Sequence, residues 1–194
     1  IQEQLFAAEV EALDYWQELA NIVDATATKS KYFQQPEALH YIDRMQKALD
    51  ESGYVGKSSA ITDLVKTVYR ELLGGDQQHY KIPASSNAVA QTILSFQGSH
   101  RPQDLWHMVT PDYKSAAIWL QLKSGDNIYM TKVIAFVDDY VGKNPLPDGV
   151  NMEWGGLTYI NVVWQDEMVN GMVDSLVGSF IAVAIIMIFL FRSV

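Results

Sequence analysis

Apolar side chains recur every three or four positions over much of this chain, which is the spacing of one face of an α-helix. One such helix begins at Pro36, since proline suits the first helical turn, and its apolar stripe is Leu39, Ile42, Met45, Gln46 and Leu49. A second helix, capped by Ser58 or Ser59, carries a stripe of Ile61, Leu64, Val65, Val68 and Leu72. The pattern predicts helices over residues 1–15, 36–52, 59–73, 86–96 and 127–141, with a short one over 103–109.

Other segments have the alternation or composition of β-strands. Tyr113–Leu122 alternates most regularly, and its second face is purely apolar: Ala116, Ile118, Leu120 and Leu122. Trp16–Thr26 and Val150–Trp154 are the other two strands predicted in the sheet, and Tyr54–Lys57 is predicted as a short strand or a turn. The sequence therefore predicts an α+β domain, in which helices beginning at Pro36 and Asn127 pack on one face of a sheet.

The C-terminal segment differs from the rest, because Ser175–Phe191 contains no charged residue. Its 17 residues are at the lower limit for a helix that crosses a bilayer. A helical pattern runs into it from Leu157 without a proline. We therefore expect an extracytoplasmic domain over 1–156, a helical connector over 157–174 and a transmembrane helix over 175–194, truncated at its end.

The charges around this segment predict its orientation. Asp174 precedes it and Arg192 follows it, and the positive-inside rule places the arginine end in the cytoplasm. Asp174 would then mark the water-facing end of the helix; the alternative is a titrating group on a proton path. Small residues at three- and four-residue spacing indicate packing against other membrane helices; they are Gly171, Ser175, Gly178, Ser179 and Ala182.

Composition excludes several classes of function. The net charge of −9 disfavours nucleic acid as a partner. The chain has no cysteine, no P-loop or dinucleotide-binding glycine motif, and no nucleophile motif. Its histidines are predicted to be ordinary surface residues: His40, His79, His100 and His107. We expect no enzyme activity, no cofactor and no metal site.

The arrangement resembles the resistance-nodulation-division (RND) superfamily of exporters, most closely its MmpL/Patched-like branch. The resemblance covers roughly 19–194 and rests on stretches such as PEALHYIDRMQKALDES, PQDLWHMVTPDYKSAAIWLQL and GVNMEWGGLTYINVVWQDEMVNGMVDSLVGSFIAVAIIMIFLFRSV. In that family a helix leaves a glycine-rich strand end and enters the membrane, where an Arg-Ser pair follows it. The matching residues are Gly155-Gly156 and Arg192-Ser193.

The resemblance implies a fold and a function for a longer protein, of which this chain is a fragment. The fold would be a split βαβ (ferredoxin-like) porter subdomain with added helices, followed by a membrane helix. The function would be proton-driven export of hydrophobic or amphiphilic molecules such as lipids, by a multi-pass protein of the cell (inner) membrane with this domain on the periplasmic or extracellular side. Its partners would be the bilayer, other transmembrane helices and the substrate, and homo-oligomerisation stays open.

Two other functions stay open as well: a sensory or assembly domain on a membrane anchor, and a protein-translocation accessory of the same superfamily. Two sets of residues are candidates for function in the exporter. Exposed aromatic side chains would line a substrate path, unless they are core contacts: Phe96, Trp106, Tyr113 and Trp119. A rigid joint between domain and membrane would comprise Gly156, Val169, Gly171 and Asp174.

Overall fold

The computed structural model describes residues 15–20, 22–23 and 31–191, which are mostly helical with a small two-stranded sheet and a C-terminal apolar helix. The named helices are α1 (Pro36–Glu51), α2 (Ile61–Leu72), α3 (Ser86–Gln97), α4 (Asn127–Lys143) and α5 (Leu157–Phe191). The strands are β1 (Val55–Ser59) and β2 (Trp119–Leu122), which pair with each other. Short 3-10 helices lie at Tyr32–Gln34, Gln77–His79 and Pro102–His107. The helix predicted over residues 1–15 lies outside the described residues, apart from its last position.

The strand predictions are largely wrong. In the segment Trp16–Thr26, every residue that the structure describes is helical, and Val150–Trp154 belongs to no helix or strand. The predicted strand Tyr113–Leu122 is reduced to its last four residues. A split βαβ fold is therefore not confirmed, because only two short strands pair among the described residues. The alternation itself does hold, since the even positions from Ala116 to Leu122 are half-buried and the odd ones exposed.

The helix predictions over 36–52, 59–73 and 86–96 hold because the apolar stripes of these helices meet in one core. Chain contacts divide the protein into two units, residues 1–121 and 122–194. In the first unit all five positions of the predicted α1 stripe are buried, including Gln46. The core cluster takes residues from α1, α2, α3 and the loops beside them, among them Leu39, Ile42, Ile61, Val65, Val89, Ile93 and Leu105.

Helix ends follow local sequence, with one exception. Ser85 caps α3 by accepting a hydrogen bond from the Ala88 amide at 3.3 Å, as the preference for serine at this position predicts. The exception is α2, whose predicted cap at Ser58 or Ser59 is wrong, since both serines belong to β1. Ala60 is the capping residue instead, and its amide donates to the Asp63 carboxylate at 3.0 Å.

The second unit is built from α4 and α5. Asp126 caps α4 by accepting from the Tyr129 amide at 2.6 Å. The two helices contact each other, and the buried apolar residues of this unit are Met130, Val133, Val137 and Val162. A loop after α4 leads to α5, and Trp154 at its end stacks on Tyr159 in the first turn of α5, with ring centroids 6.1 Å apart.

Candidate functional site: the long C-terminal helix

Helix α5 starts at a glycine that the backbone conformation requires. Gly156 has φ +99°, a region that side-chain-bearing residues rarely adopt. Its carbonyl accepts a hydrogen bond from the Ile160 amide at 3.1 Å, so it forms the first turn of the helix. No proline interrupts the following 35 residues, and the helix continues to Phe191. The prediction of one continuous helix over Leu157–Phe191 is confirmed.

The second half of α5 is apolar around its whole circumference. Among the described residues α5 is the one helix that is long and apolar enough to cross a membrane, with a mean hydropathy of 2.4 over its most apolar 18 residues. None of those residues is buried within the structure. The uncharged stretch Ser175–Phe191 is about 26 Å long, against about 30 Å for a bilayer core. A helix that is apolar on every side and unburied is suited to lipid rather than to water.

The predicted joint residues lie on α5 or directly before it, so all of them belong to one continuous helix. Val169 is 47% exposed, and Asp174 is exposed as well. A Cβ atom at Gly171 or Gly178 would meet no atom within 4 Å apart from the neighbouring backbone of α5 itself. The small-residue face of the helix is therefore open in this structure.

The first half of α5 forms a groove with the start of α4. The Asn127 side-chain amide donates to the Gln165 carbonyl oxygen and lies 3.5 Å from the Asn161 backbone oxygen. Below this amide cluster the helix presents apolar side chains. The groove is lined by Asn127, Asn161, Trp164, Gln165, Met168 and Val169.

The predicted aromatic path is placed around the 3-10 helix Pro102–His107. Trp106 and Tyr113 meet edge to face with ring centroids 6.2 Å apart, and the Trp119 indole donates to the His107 carbonyl at 2.7 Å. Phe96 instead packs against the core cluster. Trp106 and Trp119 remain 41% and 59% exposed, so two members of the set are available to a ligand.

Tyr113 is a core residue, although its strand position predicted an exposed face. It is buried, and its φ of +56° is unusual for a side-chain-bearing residue. Its hydroxyl accepts from Gln97 at 2.9 Å, and its carbonyl accepts from the Phe33 amide at 3.0 Å. Burial raises the pKa of the Tyr113 phenol above its usual value, and the hydrogen bonds of Gln34 and Gln97 only partly offset this. Tyr113 therefore joins three segments rather than lining a path.

A polar network between α1, β1 and α2 was not predicted from the sequence. Lys66 pairs with Asp43 at 2.7 Å and lies 3.5 Å from Asp63. Gln46 donates to Asp63 at 2.7 Å and accepts from the hydroxyl of Thr62. The signal that could have found it is Gln46 itself, a polar residue inside the apolar stripe of α1.

The charges of this network stabilise each other. Burial raises the pKa of the Asp43 carboxyl, but hydrogen bonds and charge from Lys47 and Lys66 outweigh it, so the pKa lies below its usual value. Burial likewise lowers the pKa of Lys66, and the Asp43 and Asp63 carboxylates more than compensate, so its pKa is raised. Every fully enclosed polar side-chain atom of the described residues has a partner, which is the arrangement of a structural network.

In the described part of the chain, no three His, Asp or Glu side chains lie close enough together to hold a metal ion. What the structure offers is a membrane-length helix, a groove beside it and an exposed pair of tryptophans. Comparison with known proteins adds no name to these features: no family model, curated protein or solved structure matches this chain.

Proposed function

We propose that this chain is part of a proton-driven membrane transporter of the RND type, which exports hydrophobic or amphiphilic molecules. The observation that supports this proposal is the continuity of α5, a 35-residue helix that begins beside α4 in the second unit and ends in an uncharged apolar stretch. Its length is about 52 Å, well beyond the roughly 30 Å of a bilayer core. Such a helix joins a membrane segment, without a break, to the part of the second unit that packs on α4.

The open small-residue face of α5 supports a place among several membrane helices. Small side chains let helix backbones approach closely, which is how helices associate in lipid. Gly171 and Gly178 have room for a neighbouring helix. The remaining spans of such a transporter would supply these neighbours and the acidic residues of a proton relay.

Cysteine labelling tests the position of the bilayer. Because the chain has no cysteine, Ile160→Cys and Ile185→Cys each introduce a single thiol on the same helix, at positions of similar exposure. With a membrane-impermeant maleimide added to intact cells, we expect labelling of Ile160→Cys alone, and labelling of Ile185→Cys only after denaturation. Equal labelling of the two positions before denaturation would contradict a span over Ser175–Phe191.

An efflux measurement tests the transport function. Cells that express the full-length transporter, of which this chain would be one part, should accumulate less of a fluorescent amphiphile than cells with the empty vector, and a proton uncoupler should abolish the difference. Equal accumulation at confirmed expression, with or without the uncoupler, would refute export.

A second function is favoured by one observation, the small sheet. A porter subdomain of the ferredoxin-like type needs more than the single pair of strands found among the described residues. A sensory or assembly domain on a membrane anchor has no such requirement. The labelling and efflux measurements described above distinguish the two functions. If the domain is only anchored, α5 should be inserted in the membrane and the cells should show no efflux.

A further inference from the structure

The groove between α4 and α5 has a polar end and an apolar end, and their order along the helix is informative. Asn161 and Gln165 lie with Asn127 at the upper end, and Met168 and Val169 lie below them. If the span begins after Asp174, Val169 stands about 8 Å above it and Asn161 about 20 Å above it. The apolar end of the groove is thus the end nearer the bilayer.

We propose that this groove holds a single-chain amphiphile with an uncharged, hydroxyl-bearing head, its tail directed toward the membrane. The proposal rests on the proposed function and names a substrate class for it. A lipid in the adjacent leaflet has its head away from the hydrocarbon core and its tail toward it. A molecule that rises from that leaflet along α5 enters the groove without turning over.

The chemistry of the lining determines the head. The six residues that line the groove in the described structure carry no charged side chain, so nothing there neutralises a phosphate, carboxylate or ammonium group. The side-chain amides of Asn127 and Gln165 both donate and accept hydrogen bonds, which suits hydroxyl groups. The chain's net charge of −9 further disfavours an anionic head.

The chemistry of the lower end fits an alkyl chain. Met168 is 42% exposed and Val169 47%, so a tail laid along them would remove apolar surface from water. Trp164, at the level of the amides, is 64% exposed and offers the face of its ring to the junction of head and tail. Methionine adapts its shape to an alkyl chain because it is unbranched and flexible. Continuity with the bilayer at Asp174 favours a lipid-like occupant over a peptide or a second copy of this chain.

Photolabelling of the protein in phosphatidylcholine nanodiscs tests the proposal. The probe is a dodecyl glucoside with a diazirine on the chain carbons next to the sugar, and the control probe carries a sulfate in place of the sugar. Mass spectrometry compares labelling of residues 157–169 with labelling of 175–191, which reports contact with bulk lipid. We expect the glucoside to label 157–169, excess unlabelled glucoside to compete, and the sulfate to label that segment less.

Two matched variants locate the site. Val169→Asp places a charge in the groove and should lower the labelling ratio about tenfold. Val163→Asp makes the same change six residues away, at a position of similar exposure that does not line the groove, and should leave the ratio unchanged. Absence of label in 157–169, equal labelling by the sulfate, or equal effects of the two variants would overturn the proposal.

This result is separable from the exporter function, because labelling needs no transport. Efflux with no label in 157–169 overturns the groove site and leaves the exporter standing. Label in 157–169 that depends on Val169, in a protein without efflux, supports the groove and refutes the exporter.

Discussion

Asp43 forms two ion pairs, with Lys47 and Lys66, and the two lysines differ in exposure. Lys66 is only 13% exposed at its side chain, and Lys47 is 68% exposed, while both amines lie 2.7 Å from the Asp43 carboxylate. Desolvated pairs are costly to break, because the remaining partner keeps a charge without compensation. The pair with Lys66 is therefore the one that stabilises the first unit.

Replacing Asp43 by asparagine should destabilise the first unit by about 2 kcal/mol, because Lys66 then retains only the more distant Asp63 carboxylate. The control is Asp139→Asn, which removes an exposed pair with Lys143 at 2.6 Å and should cost less than about 0.5 kcal/mol. Urea unfolding of the full chain in a non-ionic detergent, followed by circular dichroism, measures both. Equal losses would show that burial of the pair contributes nothing.

The same pair predicts a pH dependence of stability. The pKa of Asp43 is lowered on folding, so its contribution is present above the unfolded value of about 3.9 and is lost as pH falls through the folded value. The pKa of Lys66 is raised, so its contribution is present below about 10.4 and is lost as pH rises through the folded value.

We therefore expect the stability difference between the wild-type protein and Asp43→Asn to be constant from about pH 5 to 9 and to shrink below about pH 4. Urea midpoints at several pH values measure this difference. A difference that persists unchanged at pH 3 would contradict the assignment.

At the scale of elements, helices were predicted well and strands poorly, for a physical reason. The stripes of α1 and α2 bury themselves against neighbouring helices, so their spacing reports the core directly. A strand also needs a partner, which local alternation does not supply. Val150–Trp154 has the composition of a strand and no such partner. The alternation predicts an exposed side chain at Tyr113, but this side chain is buried in the core, and its backbone has a left-handed conformation that no strand residue has.

The alternating segment that ends in β2, Ala116–Leu122, allows a test of its two faces. Ile118 packs against the core cluster and Gln121 is exposed. Ile118→Asp should destabilise the first unit by about 2 kcal/mol, because it places a charge without a partner beside the core. Gln121→Asp, on the other face, should change stability by less than about 0.5 kcal/mol. The midpoint temperatures of thermal unfolding of the two variants test this assignment. Similar midpoints for the two variants would refute it.

At the scale of the whole molecule, the sequence predicted one part of the candidate site, the helix α5, and did not predict the other, the groove. The composition of Ser175–Phe191 and the absence of proline predicted α5, because those signals are local. The groove was missed because it depends on Asn127 meeting Gln165, which lies 38 positions later in the chain. Such contacts come from packing of α4 on α5, and the residue pattern within either helix does not predict them.

A backbone change in α5 tests whether the helix couples its membrane segment to the part of the second unit that contains α4. Val169→Pro removes a helix hydrogen bond and clashes with the preceding turn, at a cost of about 3 kcal/mol. We expect insertion and folding to persist and efflux to fall sharply, whereas Val169→Ala, which keeps the helix, should retain most of the efflux. Wild-type efflux in a correctly inserted Val169→Pro protein would mean that α5 is only a tether.

An unbroken helix also works as a lever. With its Phe191 end as the pivot, a tilt of about 10° displaces the Leu157 end of a rod of about 52 Å by about 9 Å. Val162 is buried in the second unit, so α4, which contacts α5, would be carried along by the same swing. A small angular change within the lipid would thus arrive at the water-exposed end as a displacement nearly as wide as a helix.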